Sequence, residues 1–220
     1  MFCHYNGKCM NVRRGIRNGE PQTAEGRKVA VKRVPIGVSA RHIHLTQEHL
    51  EILFGHGAKL TVLKPLSQPG QFAANETVAV YGPKGGFEKV RILGPVRKAT
   101  QLEVSRTDAL ALGLNPPVRE SGDIAGSPGI RIVGPAGEVT VDEGVIIAAR
   151  HIHFHPDDAV RWGIRDKQRL RVRVGGERGL VFENVIARVS PDFALDMHID
   201  TDEGNAAGVK TGDYGEILDD

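Results

Sequence analysis

One segment occurs twice in this chain. Gly37-Val-Ser-Ala-Arg-His-Ile-His-Leu45 and Val145-Ile-Ile-Ala-Ala-Arg-His-Ile-His-Phe154 share the run Ala-Arg-His-Ile-His. A repeat of that kind implies two related halves. Each copy reads as a strand carrying His-x-His, then a polar start signal, then one or two helical turns that stop at a glycine. In the first copy Thr46 caps a helix through Leu50, Ile52, Leu53 and Phe54 before Gly55. In the second, Pro156 occupies the first turn ahead of Ala159, Val160, Trp162 and Gly163. Two fainter copies follow the same rule. Glu103 precedes Thr107-Asp-Ala-Leu-Ala-Leu112 and Gly113, and His198 precedes Thr201-Asp-Glu-Gly-Asn-Ala-Ala207 and Gly208. The spacing is 11 from His44 to Gly55 and 10 for Glu103 to Gly113, His153 to Gly163 and His198 to Gly208. Four equivalent units would each aim one ligand inward.

Around these units, short apolar runs recur between Gly and Pro breakers: Val29–Val34, Leu60–Leu63, Thr77–Tyr81, Lys89–Leu93, Ile130–Val133, Val145–Ala149, Leu170–Val174, Leu180–Phe182 and Val185–Val189. Many short strands with tight turns and few, brief helices indicate a mainly β barrel or sandwich class. Lys84-Gly85-Gly86 and Gly175-Gly176 read as hairpin turns, since neither opens a helix after a strand. Residues 1–30 read as an irregular N-terminal extension without helical or strand period. At 220 residues the chain can bury a core, and 40% hydrophobic with 25% charged residues is an ordinary globular balance. No apolar run is long enough for a bilayer, and the N-terminus lacks the pattern of a secretory signal, so a cytoplasmic location is expected. The only cysteines, Cys3 and Cys9, fall in the extension, so no disulfide framework and no thiolate metal site is expected in the fold. A net charge of +2 gives no reason to expect nucleic acid, and membrane is not expected either; a small anionic ligand is compatible with it.

In an extended strand residues i and i+2 share a face, so His42 projects with His44 and His151 with His153. Each pair is a ready two-nitrogen metal ligand. With Glu103 and His198 there are six candidates, enough for two zinc ions, which take imidazole and carboxylate and keep a position open when catalytic. His49, His56 and His155 have no partner at strand spacing and read as surface or capping residues. Arg41 and Arg150 point to the face opposite the His pairs, which suits structural ion pairs at least as well as catalysis. Arg97, in Gly94-Pro-Val-Arg-Lys98 just before Glu103, is better placed to hold an anion through the guanidinium fork, although spacing alone also allows a surface role.

Val38-Ser-Ala-Arg-His-Ile-His-Leu45, Gly94-Pro-Val-Arg97, Ala149-Arg-His-Ile-His153 and Met197-His-Ile-Asp-Thr-Asp-Glu-Gly-Asn205 together resemble the PduL-type phosphotransacylase, or phosphate propanoyltransferase, family. The resemblance runs from about Val31 to Ile217. It implies two β-barrels with short capping helices and an N-terminal strand exchanged into the C-terminal barrel. Residues 31–40 would join residues 145–218 in one barrel, and residues 41–144 would form the other. It also implies two zinc ions on His42, His44, Glu103, His151, His153 and His198, phosphate on Arg97, and a coenzyme A surface near Ser39, Lys64, Arg91, Leu93 and Asn205. Acyl-CoA or CoA and phosphate are the expected partners, with a homodimer also allowed. Some members enter bacterial microcompartments, as in propanediol degradation, through an amphipathic N-terminal helix. Residues 1–30 lack that period, so location inside a microcompartment stays an open alternative to the cytoplasm.

The expected reaction is direct attack of metal-bound phosphate on the thioester of propanoyl-CoA or a similar short chain, giving acyl phosphate and CoA. No serine or cysteine sits beside a histidine in any motif, so no acylated side chain is expected. Three other readings compete. Gly37 to Gly55 also fits G-x4-H-x-H-x3-E-x6-G with Glu48 in the acidic position, close to a cupin signature. A zinc metallohydrolase acting on thioesters or esters would need the same metals, and a non-enzymatic metal-binding module would need no anion site.

Overall fold

The computed structural model describes residues 31–219. The N-terminal extension, with Cys3, His4 and Cys9, lies outside the described residues. In chain order come β1 (Lys32–Ser39), β2 (His42–His44), α1 (Gln47–Phe54), β3 (Val62–Pro65), β4 (Phe72–Tyr81), β5 (Gly86–Gly94), β6 (Gln101–Glu103) and α2 (Arg106–Leu112). They are followed by β7 (Val118–Arg119), β8 (Ile130–Val133), β9 (Glu138–Val141), β10 (Val145–Ala148), β11 (His151–Phe154) and α3 (Pro156–Trp162). The last stretch carries β12 (Arg169–Val174), β13 (Leu180–Val189), β14 (Asp196–Asp200), α4 (Thr201–Ala207) and β15 (Tyr214–Leu218).

Two β layers result, as expected for a mainly β chain with short helices. One is a closed barrel in the order β1-β14-β11-β13-β12-β15, and the N-terminal strand β1 is indeed part of it. The other is a sheet in the order β7-β10-β6-β2-β5-β4-β8-β9, with β3 against β4, that curls into a half-barrel. Each has its own core. Val34, Ile36, Ile152, Phe154, Val172, Val185 and Ile199 fill the barrel, while Ile43, Leu50, Leu53, Val80, Ile92, Leu102 and Ile132 fill the curled sheet. A buried side chain of this size contributes roughly 1.5–3 kcal/mol. An exposed pair such as Arg131–Glu138 adds at most about 1 kcal/mol. The two apolar cores therefore carry the stability.

Strand exchange is reciprocal, and this corrects one expected boundary. β1, which leads into β2, leaves its own half and runs parallel to β14 with Gly37 opposite His198. β10, which leads into β11, makes the mirror move: it runs parallel to β6 with Ile146 opposite Glu103, and also pairs with β7. Residues Val145–Ala148 thus belong to the curled sheet, and the chain changes layer between Ala148 and His151 rather than at residue 145. The physical reason is the duplication itself. Each half needs a parallel neighbour for its second ligand strand, and the leading strand of the other half supplies it.

All four capped helices fall where the repeat placed them. Thr46, Ser105, His155 and Asp200 cap their N-termini, each side chain accepting a backbone N–H, and Gly55, Gly113, Gly163 and Gly208 end them at positive φ. Gly82 N donates to Gly85 O at 2.8 Å in the β4–β5 hairpin, and Gly175-Gly176 turns β12 into β13, so both glycine motifs are turns. Leu180–Phe182 and Val185–Val189 are one strand, not two. Leu170 pairs with Val185 but Val172 with Phe182, so β13 carries one extra residue, absorbed near Asn184 at φ 56°. That bulge breaks the alternation by which the segment would read as continuous.

Candidate metal centre

Both faces of the short His-x-His strands are buried. Ile43 and Leu102 point into the curled-sheet core, and Ile152 and Phe154 into the barrel core. The histidines must then face outward, each set toward the other layer. Strand register adds the third ligand. β2 is antiparallel to β6 with His42 opposite Glu103, and β11 is antiparallel to β14 with His151 opposite His198. In each of the two groups, His42–His44–Glu103 and His151–His153–His198, the ligand-capable atoms lie within 4.8 Å of one another. Both groups line a single cavity of about 810 Å³ between the layers.

Hydrogen bonds fix the rings. His42 Nδ1 meets Ala40 O at 2.9 Å, His44 Nδ1 meets Leu93 O at 3.2 Å, and His151 Nδ1 meets Ala149 O at 2.8 Å. A backbone carbonyl on one nitrogen leaves the other free for a cation, the usual arrangement behind a metal ligand. His198 Nε2 is 3.0 Å from the buried Asp196 carboxylate, and His153 Nδ1 is buried with no hydrogen-bond partner among the described residues. That orphaned nitrogen, and a donor set of imidazole and carboxylate without thiolate, fit zinc or a related imidazole-preferring divalent ion. Gly37 packs closely beside this group: a Cβ there would sit 3.3 Å from Asp196 Oδ2 and 3.6 Å from the His198 ring.

Electrostatics point the same way. Burial, with the neighbouring imidazoles and arginines, pushes His44 down to about 3, His151 to about 4 and His153 to about 2. Burial also opposes a charge on His42, but the Glu103 carboxylate 3.4 Å away outweighs it and raises His42. Glu103 in turn is held well below the usual carboxylate range, because the pull of His42, His44 and the Ser121 hydroxyl overcomes its burial. Three imidazoles therefore stay neutral and ready to ligate at neutral pH.

The metal-free protein should accordingly lose stability in mild acid. For His44, His151 and His153 the folded values lie below the ordinary 6.5. Under pH 6.5 the unfolded chain takes up protons that the folded one refuses, so stability falls as the pH drops toward the folded values. His42, being raised, offsets part of this. Thermal unfolding of chelated protein at pH 7.5 and 5.0 should show a marked drop in Tm, and the drop should shrink in His44→Gln. Equal Tm at both pH values would contradict neutral buried imidazoles.

Among the remaining expected residues, Arg97 lies on the same cavity, half-buried, with its backbone N bonded to Leu45 O at 2.8 Å. Its guanidinium donates to Ser121 Oγ at 3.1 Å, and that hydroxyl donates to Glu103 Oε1 at 2.7 Å. Ser39, Lys64, Arg91 and Leu93 also line the cavity, whereas Asn205 is exposed on α4 and does not. Arg91 is engaged by Ala74 O and Asn75 O at 2.8 and 2.9 Å. Arg41 and Arg150 form ion pairs, with Asp108 at 3.2 Å and Glu203 at 2.8 Å, each in the first turn of the helix that follows the opposing ligand strand. Glu48 is exposed on α1 and belongs to neither ligand group, so the cupin pattern is not met. His155 caps α3 and His56 is exposed as expected, while His49 is half-buried with Nδ1 2.7 Å from Thr100 Oγ1.

Sequence reasoning missed Ser121, Gln101, Asp196 and Gln68. Gln101 donates to Glu103 at 2.7 Å and occupies in β6 the place that Asp196 occupies in β14, each opposite the second histidine of its pair. That register was readable once Glu103 and His198 were aligned. Gln68, buried, reaches Ala194 O and N at 3.0 and 3.2 Å and so ties a loop of the curled sheet to the barrel beside the cavity. Nothing in the local sequence marks such a long-range contact. No helix among the described residues is long and apolar enough to cross a membrane.

A family model described as phosphate propanoyltransferase matches residues 35–210. The phosphate propanoyltransferase of Thermotoga maritima is 57% identical over 185 residues, covering 84% of this chain and 88% of its own length. That of Priestia megaterium is 57% identical over 182 residues, covering 83% and 84%, and that of Listeria monocytogenes 48% over 185 residues, covering 84% and 87%.

Proposed function

Because the chain belongs to the phosphate propanoyltransferase family, and so is a phosphate acyltransferase, we propose that it moves a propanoyl or similar short acyl group between coenzyme A and phosphate at a two-zinc centre. One observation carries this reading: two three-ligand groups and the half-buried Arg97 open on one cavity large enough for a thioester beside a phosphate. The zinc ions are assigned to His42, His44 and Glu103, and to His151, His153 and His198. When bound they would supply Lewis acidity toward phosphate and carbonyl oxygens.

The chain's own groups do the rest. Arg97 binds phosphate through its fork and offsets charge that water would otherwise solvate. Ser121, bonded to both Arg97 and Glu103, keeps the guanidinium and the carboxylate in one register. Held in this way, a phosphate oxygen attacks the thioester carbonyl carbon directly. The C–S bond breaks, the sulfur leaves with the electron pair as CoA thiolate, and acyl phosphate remains. Ser39, Lys64, Arg91 and Leu93, all on the cavity wall, are the residues we assign to coenzyme A. Asn205 would join them only if the cofactor extends over α4.

The test is to incubate zinc-loaded protein with propanoyl-CoA, with and without phosphate, following free thiol and acyl phosphate. Thiol release that needs phosphate and matches acyl phosphate one for one is expected. Release that ignores phosphate would instead make the protein a thioester hydrolase, and no release with any short acyl chain would leave a metal-binding module.

A further inference from the structure

We propose that Arg188 is a second anion-holding arginine of this site, gripping the reacting phosphate from the barrel side while Arg97 grips it from the curled-sheet side. The inference rests on the phosphate-transfer reading above and adds a substrate-binding residue to it.

Strand pairing puts Arg188 there. β13 runs parallel to β11 with Arg188 in register with His153. Ile152, Phe154, Val185 and Ala187 turn into the barrel core, so His153 and Arg188 share the outward face, and both line the cavity. The curled sheet supplies its guanidinium differently: β5 runs parallel to β2 with Arg91 opposite His42, and Arg97 follows three residues after that strand ends.

What distinguishes Arg188 from the other arginines near the site is its lack of close partners among the described residues. Arg150 is engaged by Glu183 O at 2.7 Å and Glu203 at 2.8 Å, and Arg91 by two backbone carbonyls. The carboxylate nearest Arg188 is Glu120, 3.9 Å away, and the same oxygen is already held by Lys167. The Phe193 ring, 5.6 Å from Arg188 Cζ, gives the guanidinium a platform without neutralising it. Its charge is felt across the cavity: after burial itself and against Glu103, Arg188 helps lower Arg97. Arg97, Arg188 and two cation sites face one cavity whose lining carboxylates are Glu103, Asp196 and Asp200, and the positive charge in excess suits a polyanion. Phosphate offers oxygens on opposite sides, and the planar fork suits it from each.

The experiment compares wild type with Arg188→Gln and Arg188→Lys, measuring KM for phosphate and for propanoyl-CoA separately, zinc content and Tm. Loss of one charge-assisted contact should raise the phosphate KM by about tenfold in Arg188→Gln, with partial recovery in Arg188→Lys. The propanoyl-CoA KM, zinc content and Tm should not move. Calorimetry of inorganic phosphate on the zinc-loaded proteins, without CoA, should show the same loss of affinity. An unchanged phosphate KM and affinity would overturn the inference. So would a rise confined to propanoyl-CoA, which would assign Arg188 to the phosphates of coenzyme A. Wild type that lacks phosphate-dependent turnover sinks the acyl-transfer reading instead, and the calorimetric arm still decides whether Arg188 holds phosphate.

Discussion

Alanine in place of His153 is expected to strip one of two bound zinc ions from each chain and to lower phosphate-dependent acyl transfer on the order of 10³-fold. His153 is buried, its Nδ1 has no partner among the described residues, and it contributes to the group on the barrel side only. The His42–His44–Glu103 group is built on the other layer with its own core and hydrogen bonds, so it should keep its ion. Metal analysis should therefore fall from two equivalents to one, not to zero. His155→Ala, two residues on, removes only a helix cap and should leave zinc content at the wild-type level. Retention of both ions by His153→Ala, or equal loss in the two variants, would break the assignment.

Arg97→Ala has the second largest expected effect, and it should separate from the first. The side chain touches Ser121 rather than any imidazole, so zinc content should hold at two equivalents. Phosphate loses the fork that faces it in a partly desolvated cavity, and kcat/KM for phosphate should drop by about 10²-fold while the KM for propanoyl-CoA changes little. Lysine at this position keeps the charge but not the paired N–H groups, so Arg97→Lys should recover only part of the loss. Zinc loss in Arg97→Ala comparable to that in His153→Ala would show that the residue supports the metal group rather than the anion.

The two candidate metal groups were legible because their members obey local rules. His42 and His44 share a face by strand period, His151 and His153 repeat them, and Glu103 and His198 sit at the same distance from a helix-stopping glycine. The four helices were equally legible, since Thr46, Pro156 and the four glycines act on their own turns. Other elements were hidden for identifiable reasons. β14 and β15 complete the barrel yet read as polar segments, Asp196–Asp200 because it carries the site and Tyr214–Leu218 because Gly215 must lie against Val172. Ser121 and Arg188 look like any surface serine and arginine until the sheets bring them to Glu103 and His153.

By itself the sequence determined which side chains share a face, where each helix begins and ends, and that the unit occurs more than once. Those follow from bonds and periods spanning a few residues. Only the tertiary structure decided that β1 and β10 trade places, that one layer closes while the other curls, and that both ligand groups open on the same cavity. Pairing and register between distant strands are chosen by which apolar faces can be buried together, a competition among whole layers that no short stretch of chain encodes.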